Sequence, residues 1–76
     1  MNNSHRNLRL KSARIMLGLS QRDLADSIGC SEYLVSKLET RRAEPTASIR
    51  QSLSTALGVP SFELFGAEDF SAVAER

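Results

Sequence analysis

Apolar residues recur along this chain at the spacing of amphipathic helices, and they never alternate over the length of a β-strand. The apolar positions of the five helices that this pattern predicts are, in chain order, Leu10, Ala13 and Leu17; Leu24, Ala25 and Ile28; Val35 and Leu38; Ile49, Leu53, Ala56 and Leu57; and Phe62, Leu64 and Phe65. The pattern therefore predicts an all-α fold, a compact bundle of five helices.

Residues that cap helices mark most of the predicted boundaries. The predicted N-caps are Ser20, Ser31, Thr46 and Ser61. Asp23 stands three residues after Ser20, the spacing of a capping box. Gly18, Gly29 and Gly58 each follow an apolar stripe and are suited to the end of a helix. Pro45 interrupts the chain after the third helix, because proline disfavours helix in the residue before it.

Two charged residues interrupt stripes that are otherwise apolar. Arg14 lies on the stripe of the first helix and Glu39 on that of the third. A buried charge is tolerated when it is paired, so the two residues are expected to form an ion pair. Alternatively, each stripe is narrower and both side chains reach solvent.

The second and third helices have the spacing of a helix-turn-helix unit, over about residues 20–40, with a three-residue turn at 29–31. In such a unit the second helix can enter the major groove of DNA. The polar residues left on its outer face are Glu32, Tyr33, Ser36 and Lys37. The division predicted is a flexible N-terminal segment 1–7, a domain 8–65 and a C-terminal tail 66–76. The tail carries a weak amphipathic stripe and is expected to form a short helix or a dimer contact, or else to fray.

Length and composition narrow the possible functions. The 76 residues are enough for one small domain, and the single cysteine, Cys30, excludes an internal disulfide and suits a reducing compartment. No apolar run is long enough to cross a membrane, and the first residues lack the apolar core of a signal peptide, so a cytoplasmic location is expected. His5 has no second metal ligand near it in the sequence, and no metal or cofactor site is predicted.

Charge is divided unevenly along the chain, although the net charge is only +1. Residues 1–42 hold eight Lys and Arg against four Asp and Glu, whereas residues 43–76 hold two against five. A basic first half would let one face meet a polyanion. A split of this size also arises by chance in small proteins.

The segment "LRLKSARIMLGLSQRDLADSIGCSEYLVSKLETRRAEPTASIRQSLSTALGVPSFELF" resembles the DNA-binding domains of the phage repressor and Cro family, also called the XRE type. The likeness covers about residues 8–65. It includes "GLSQRDLA" at the start of the second helix, "VSKLE" in the third, the "PT" before the fourth and "ALGVP" after it.

The resemblance implies roles for individual residues. Those that correspond to base or phosphate contacts are Gln21, Ser31, Glu32, Tyr33, Lys37, Arg41 and Arg42. Arg14 and Glu39 correspond to a family ion pair between the first and third helices. The usual dimer contact corresponds to Val59, Pro60, Ser61 and Phe62.

Three positions depart from the family pattern or leave alternatives open. Glu32 replaces a glutamine that is common in the family; a carboxylate can accept from cytosine N4, or it is simply a favourable charge at a helix N-terminus. Tyr33 is expected to contact a thymine methyl group or a phosphate, or else to cover the second helix. Arg41 stands where many relatives have glycine, and left-handed backbone there would be strained, so the third helix is expected to run on.

The function predicted is that of a sequence-specific transcriptional regulator, a repressor that binds an inverted-repeat operator in double-stranded DNA as a homodimer. The alternative is a protein-binding module, such as an antitoxin-like partner that also autoregulates, with residues 67–76 as its contact. The chain contains no pair of catalytic groups and no glycine-rich phosphate loop, so an enzyme is not expected.

Overall fold

The computed structural model describes residues 7–65, which form five helices and no strand. In chain order these are α1 (Leu8–Met16), α2 (Gln21–Ile28), α3 (Glu32–Glu39), α4 (Ala47–Leu57) and α5 (residues 61–65). The predicted all-α, five-helix fold is confirmed. None of the helices in this part of the chain is both long and apolar enough to span a bilayer. The predicted tail 66–76 lies outside the described residues.

Local hydrogen bonds explain where most of the helices begin. The side chains of Ser20, Ser31 and Thr46 each accept from the backbone N–H three residues later, as the sequence predicted. Asp23 completes the capping box by accepting from the N–H of Ser20 at 2.9 Å, and this bond holds the pKa of the Asp23 carboxyl below its usual value. These starts are therefore fixed by neighbours in the sequence.

The fifth helix begins differently from the prediction. The carbonyl of Pro60 accepts from the N–H groups of Glu63 and Leu64, at 2.9 and 3.3 Å. Pro60 thus occupies the position before the helix, and Ser61 is already helical. The predicted capping role of Ser61 is wrong, because the residue before the helix is Pro60, whose side chain has no hydrogen-bond acceptor.

The core is formed by apolar residues of all five helices. They are Leu10, Leu24, Ala25, Val35, Leu38, Leu53, Leu57, Leu64 and Phe65. Leu17, which the sequence placed on the inner stripe of α1, is instead 54% exposed. Leu17 is the C-cap of α1, and its side chain lines an open groove together with Leu57 and Leu64, where it stays partly exposed. Leu8, Ile15 and Met16 are exposed as well.

The folded part of the chain includes Asn7, so the predicted flexible segment 1–7 is wrong at its last residue. Its side-chain oxygen accepts from the N–H of Leu10 at 3.0 Å and so caps α1. Its own backbone N–H donates to the carbonyl of Glu39 at 2.8 Å. The start of α1 is therefore attached to the end of α3.

Arg14 and Glu39 meet in a buried ion pair between α1 and α3. Arg14 Nε lies 2.6 Å from Glu39 Oε2, and Nη2 lies 3.2 Å from Oε1, while the two side chains are 9% and 4% exposed. Arg14 Nη1 also donates to the carbonyl of Leu19 at 2.8 Å. Gln21 Nε2 donates to Glu39 Oε1 at 3.0 Å. The pair thereby joins α1, the α1–α2 connection, α2 and α3.

Removal of one partner of this pair is expected to unfold the domain or leave it marginal. Arg14→Met and Glu39→Leu should each lower the free energy of unfolding by about 3–5 kcal/mol, because each leaves a buried charge without its partner. That loss is comparable with the whole stability of a domain this small. The double variant buries no charge, so it should be more stable than either single variant. Urea unfolding followed by circular dichroism measures all four proteins, and strictly additive losses would contradict the coupling.

Candidate nucleic-acid interface

Helix α3 has one buried face and one polar face. Val35, Leu38 and Glu39 are buried. The residues of the opposite face are Glu32, Tyr33, Ser36, Lys37 and Thr40. At 3.6 residues per turn this face spans about 140° of the helix surface. Ser36 and Lys37 are half-buried and the others are exposed, so polar groups of all five border solvent.

Within this polar face, Tyr33 and Lys37 are in contact. The Lys37 ammonium lies 5.0 Å from the centroid of the Tyr33 ring, a cation–π distance. The ring remains 71% exposed. Most of the surface of Tyr33 is therefore not packed against α2.

The remaining residues predicted to contact DNA lie next to α3 or join it indirectly. The Ser31 hydroxyl caps α3 by accepting from the N–H of Leu34 at 3.1 Å. Gln21, the first residue of α2, is half-buried and reaches the end of α3 through its bond to Glu39. Arg41 and Arg42 are exposed in the connection that follows α3.

Helix α3 ends in a tight turn in which Arg41 has a left-handed backbone, with φ of 60°. The N–H of Arg42 donates to the carbonyl of Lys37 at 2.8 Å, and the N–H of Arg41 donates to that of Leu38 at 3.3 Å. These two bonds are those of a Schellman motif. The expectation that the helix runs on past Arg41 is wrong, because the motif satisfies the last carbonyls by reversing the chain. The other left-handed residues among the described ones are glycines.

Thr40 belongs to the same polar face but was missed in the sequence. Its hydroxyl donates to the carbonyl of Ser36 at 3.0 Å and lies 3.3 Å from that of Lys37. It is exposed and four residues after Ser36. That spacing is the signal that could have identified it.

Cys30, in the turn between α2 and α3, is half-buried and packs against the core. Burial raises the pKa of its thiol, so the reactive thiolate is disfavoured at neutral pH. Residues 7–65 contain no group of His, Cys, Asp and Glu that could hold a metal ion.

The residues predicted for a dimer contact lie at the start of α5 and just before it. Phe62 is 58% exposed, Pro60 is exposed, and Val59 and Ser61 are half-buried. Val59 also lines a groove of about 630 Å³ between α1 and α5, together with Met16. Sequence reasoning did not identify this groove, since its walls come from distant parts of the chain.

Comparison with known proteins shows the family of the chain and a solved structure to which it is similar. The family model described as helix-turn-helix matches residues 10–64. The chain is also similar to the crystal structure of the clp gene regulator ClgR from Corynebacterium glutamicum, with a TM-score of 0.71 and 26% sequence identity, over 99% of this chain and 84% of that one. No curated protein sequence matches the chain.

Replacement of Arg41 by glycine is expected to stabilise the domain. Relief of the left-handed strain, less the extra backbone entropy of glycine in the unfolded chain, leaves a gain of about 0.5–1 kcal/mol. The matched control is Arg42→Gly, since φ of Arg42 is not positive. This variant should be less stable than the unaltered protein. Both variants lose one positive charge, so thermal unfolding separates the backbone effect from the charge effect. A lower melting temperature for Arg41→Gly would contradict the assignment.

Proposed function

The chain belongs to the XRE-type helix-turn-helix family, and we infer that it is a DNA-binding transcriptional regulator rather than an enzyme. From that membership we propose that it is a cytoplasmic repressor that binds an inverted-repeat operator as a homodimer. The helix inserted in the major groove is α3. Its polar face supplies the base contacts, while Gln21, Ser31, Arg41 and Arg42 contact the flanking phosphates.

The observation that carries this proposal is the polar face of α3, which is held to the core from behind. Val35 and Leu38 are buried beneath it, and Glu39 is bonded to α1 and α2. A helix fixed in this way can present its outer side chains to base edges without rearranging. Arg41 and Arg42 then place two positive charges directly after it. Phosphate contacts set position and affinity, and base contacts set sequence preference.

Exposed apolar surface supports the homodimer. One α3 gives one short reading surface, so a single copy is expected to bind weakly. Phe62 exposes more than half of its surface on a helix of five described residues, next to the exposed Pro60. Contact between two such surfaces would bury both rings and bring two reading helices onto one duplex. The ClgR structure is that of a gene regulator, which agrees with a role in transcription.

Selection of bound duplexes from a random pool tests the function directly. At physiological salt, the chain should enrich an inverted repeat whose half-sites are about 10–10.5 base pairs apart, one turn of DNA. Placed across a promoter, the enriched site should lower transcription of a reporter when the protein is present. Binding that shows no sequence preference and collapses as salt rises would contradict the proposal. Activation of the reporter would contradict the repressor role.

The dimer contact is tested by charging its centre. Phe62→Asp should give a monomer, because an apolar contact cannot accommodate two unpaired carboxylates. The matched control is Ile15→Asp, which charges an apolar residue of similar exposure, 53%, outside the predicted contact. Sedimentation equilibrium gives the mass of each. A dimeric mass for Phe62→Asp, or a monomeric mass for the unaltered protein, would contradict the assignment.

A further inference from the structure

The contact between Tyr33 and Lys37 fixes the position of a cation on the polar face of α3. The two residues are four apart, on consecutive turns of the helix, and the ammonium lies 5.0 Å from the ring centroid. Both belong to the face that is proposed to enter the major groove. The contact with the ring restricts the conformations of the Lys37 side chain, which has four rotatable bonds.

An aromatic partner leaves the lysine able to bind something else. A carboxylate partner would neutralise the Lys37 ammonium and occupy the N–H donors of the lysine. The face of the Tyr33 ring attracts the ammonium but leaves N–H groups that point away from the ring. Glu32 is not such a partner. It precedes Lys37 by five residues, about 7.5 Å along the helix and about 140° around it, which is not the spacing of a helical pair.

Glu32 is equally open to a ligand. It is the first residue of α3 and is exposed, and its carboxylate makes no hydrogen bond or ion pair with any residue between 7 and 65. Ser31 already accepts from the N–H of Leu34, so Glu32 is not needed as the cap. Because phosphates repel a carboxylate, Glu32 can gain from DNA only through donors on base edges.

The major groove offers few groups that suit these two side chains. Its donors are the amino groups of cytosine N4 and adenine N6, and adenine sets the acceptor N7 beside N6, where it repels a carboxylate. The strongest acceptor site in the major groove for a side-chain donor is guanine, which presents the acceptors O6 and N7 side by side. Glu32 and Lys37 are about 7.5 Å apart along the helix, whereas neighbouring base pairs are roughly 3.4 Å apart. The two side chains therefore contact different base pairs.

We infer that α3 selects a half-site with guanine opposite Lys37 and cytosine opposite Glu32, and that Tyr33 is a positioning residue that holds Lys37 for this contact. The inference rests on the proposed function and names the sequence that the same face reads. Tyr33 acts through its ring, and its hydroxyl is not required.

Glu32→Gln is the sharpest test of the cytosine contact. Selection from a random pool with the unaltered protein should show cytosine at one half-site position and guanine at another. Because glutamine binds adenine N6 and N7 together, the variant should change the first position from cytosine to adenine, by about tenfold in relative affinity, and leave the guanine position unchanged. An unchanged cytosine position would overturn the role of Glu32.

The role of Tyr33 is tested by two variants that differ in the ring. Tyr33→Phe keeps the ring and should keep the guanine preference. Tyr33→Leu keeps apolar bulk without a ring and should reduce that preference about two- to fivefold, while Lys37→Ala should abolish it. Equal guanine preference in Tyr33→Phe and Tyr33→Leu would overturn the positioning role. Thermal unfolding should be the same for both, since the side chain is largely exposed.

Different results contradict the proposed function and the assignment of bases to Lys37 and Glu32. No enriched sequence for the unaltered protein would remove the proposed function and this inference with it. An enriched inverted repeat whose half-site lacks guanine and cytosine at positions that respond to Lys37 and Glu32 would leave the function standing and overturn the inference alone.

Discussion

The buried ion pair of Arg14 and Glu39 is the interaction on which the placement of α3 depends. Leucine packing alone tolerates small rotations of a helix, because dispersion forces have little direction. A guanidinium that donates two N–H groups to one carboxylate does not, since both distances must stay near 3 Å. The bonds from Gln21 and to the carbonyl of Leu19 remove further freedom. The pair thus converts a small core into a rigid support for the polar face.

The chain reverses sharply after α3, and a backbone bond from the start of the domain also holds that end. Glu39 occupies the last turn of the helix, and its carbonyl accepts from the N–H of Asn7. The last carbonyls of the helix are satisfied from the reversed chain: the N–H of Arg41 donates to Leu38, and the N–H of Arg42 donates to Lys37. Arg41 has a strained left-handed backbone in this turn, and with Arg42 it places two cations directly after the polar face. Glycine would relieve the strain but would carry no charge.

The parts of the fold that the sequence predicted are those fixed by near neighbours. A serine oxygen three residues before an N–H is a local arrangement, so Ser20, Ser31 and Thr46 could be identified as caps without the rest of the structure. Leu17 and Arg41 could not be placed, because their positions depend on where a helix stops, and backbone bonds formed after the helix decide that. The Arg14–Glu39 pair could be anticipated from two charges on apolar stripes, yet its bonds to Gln21 and Leu19 could not.

The charges in and beside α3 are of both signs, and this bears on how its polar face would bind DNA. The net charge is +1, and the charge of Arg14 is used within the core. Lys37, Arg41 and Arg42 are therefore the cations at α3, and Glu32 at its start works against them near phosphates. Under the proposed function these cations would contribute attraction to phosphates, and the polar face of α3 would contribute the sequence preference. A carboxylate on the reading helix then becomes an advantage, since it penalises every site that does not offer it a donor.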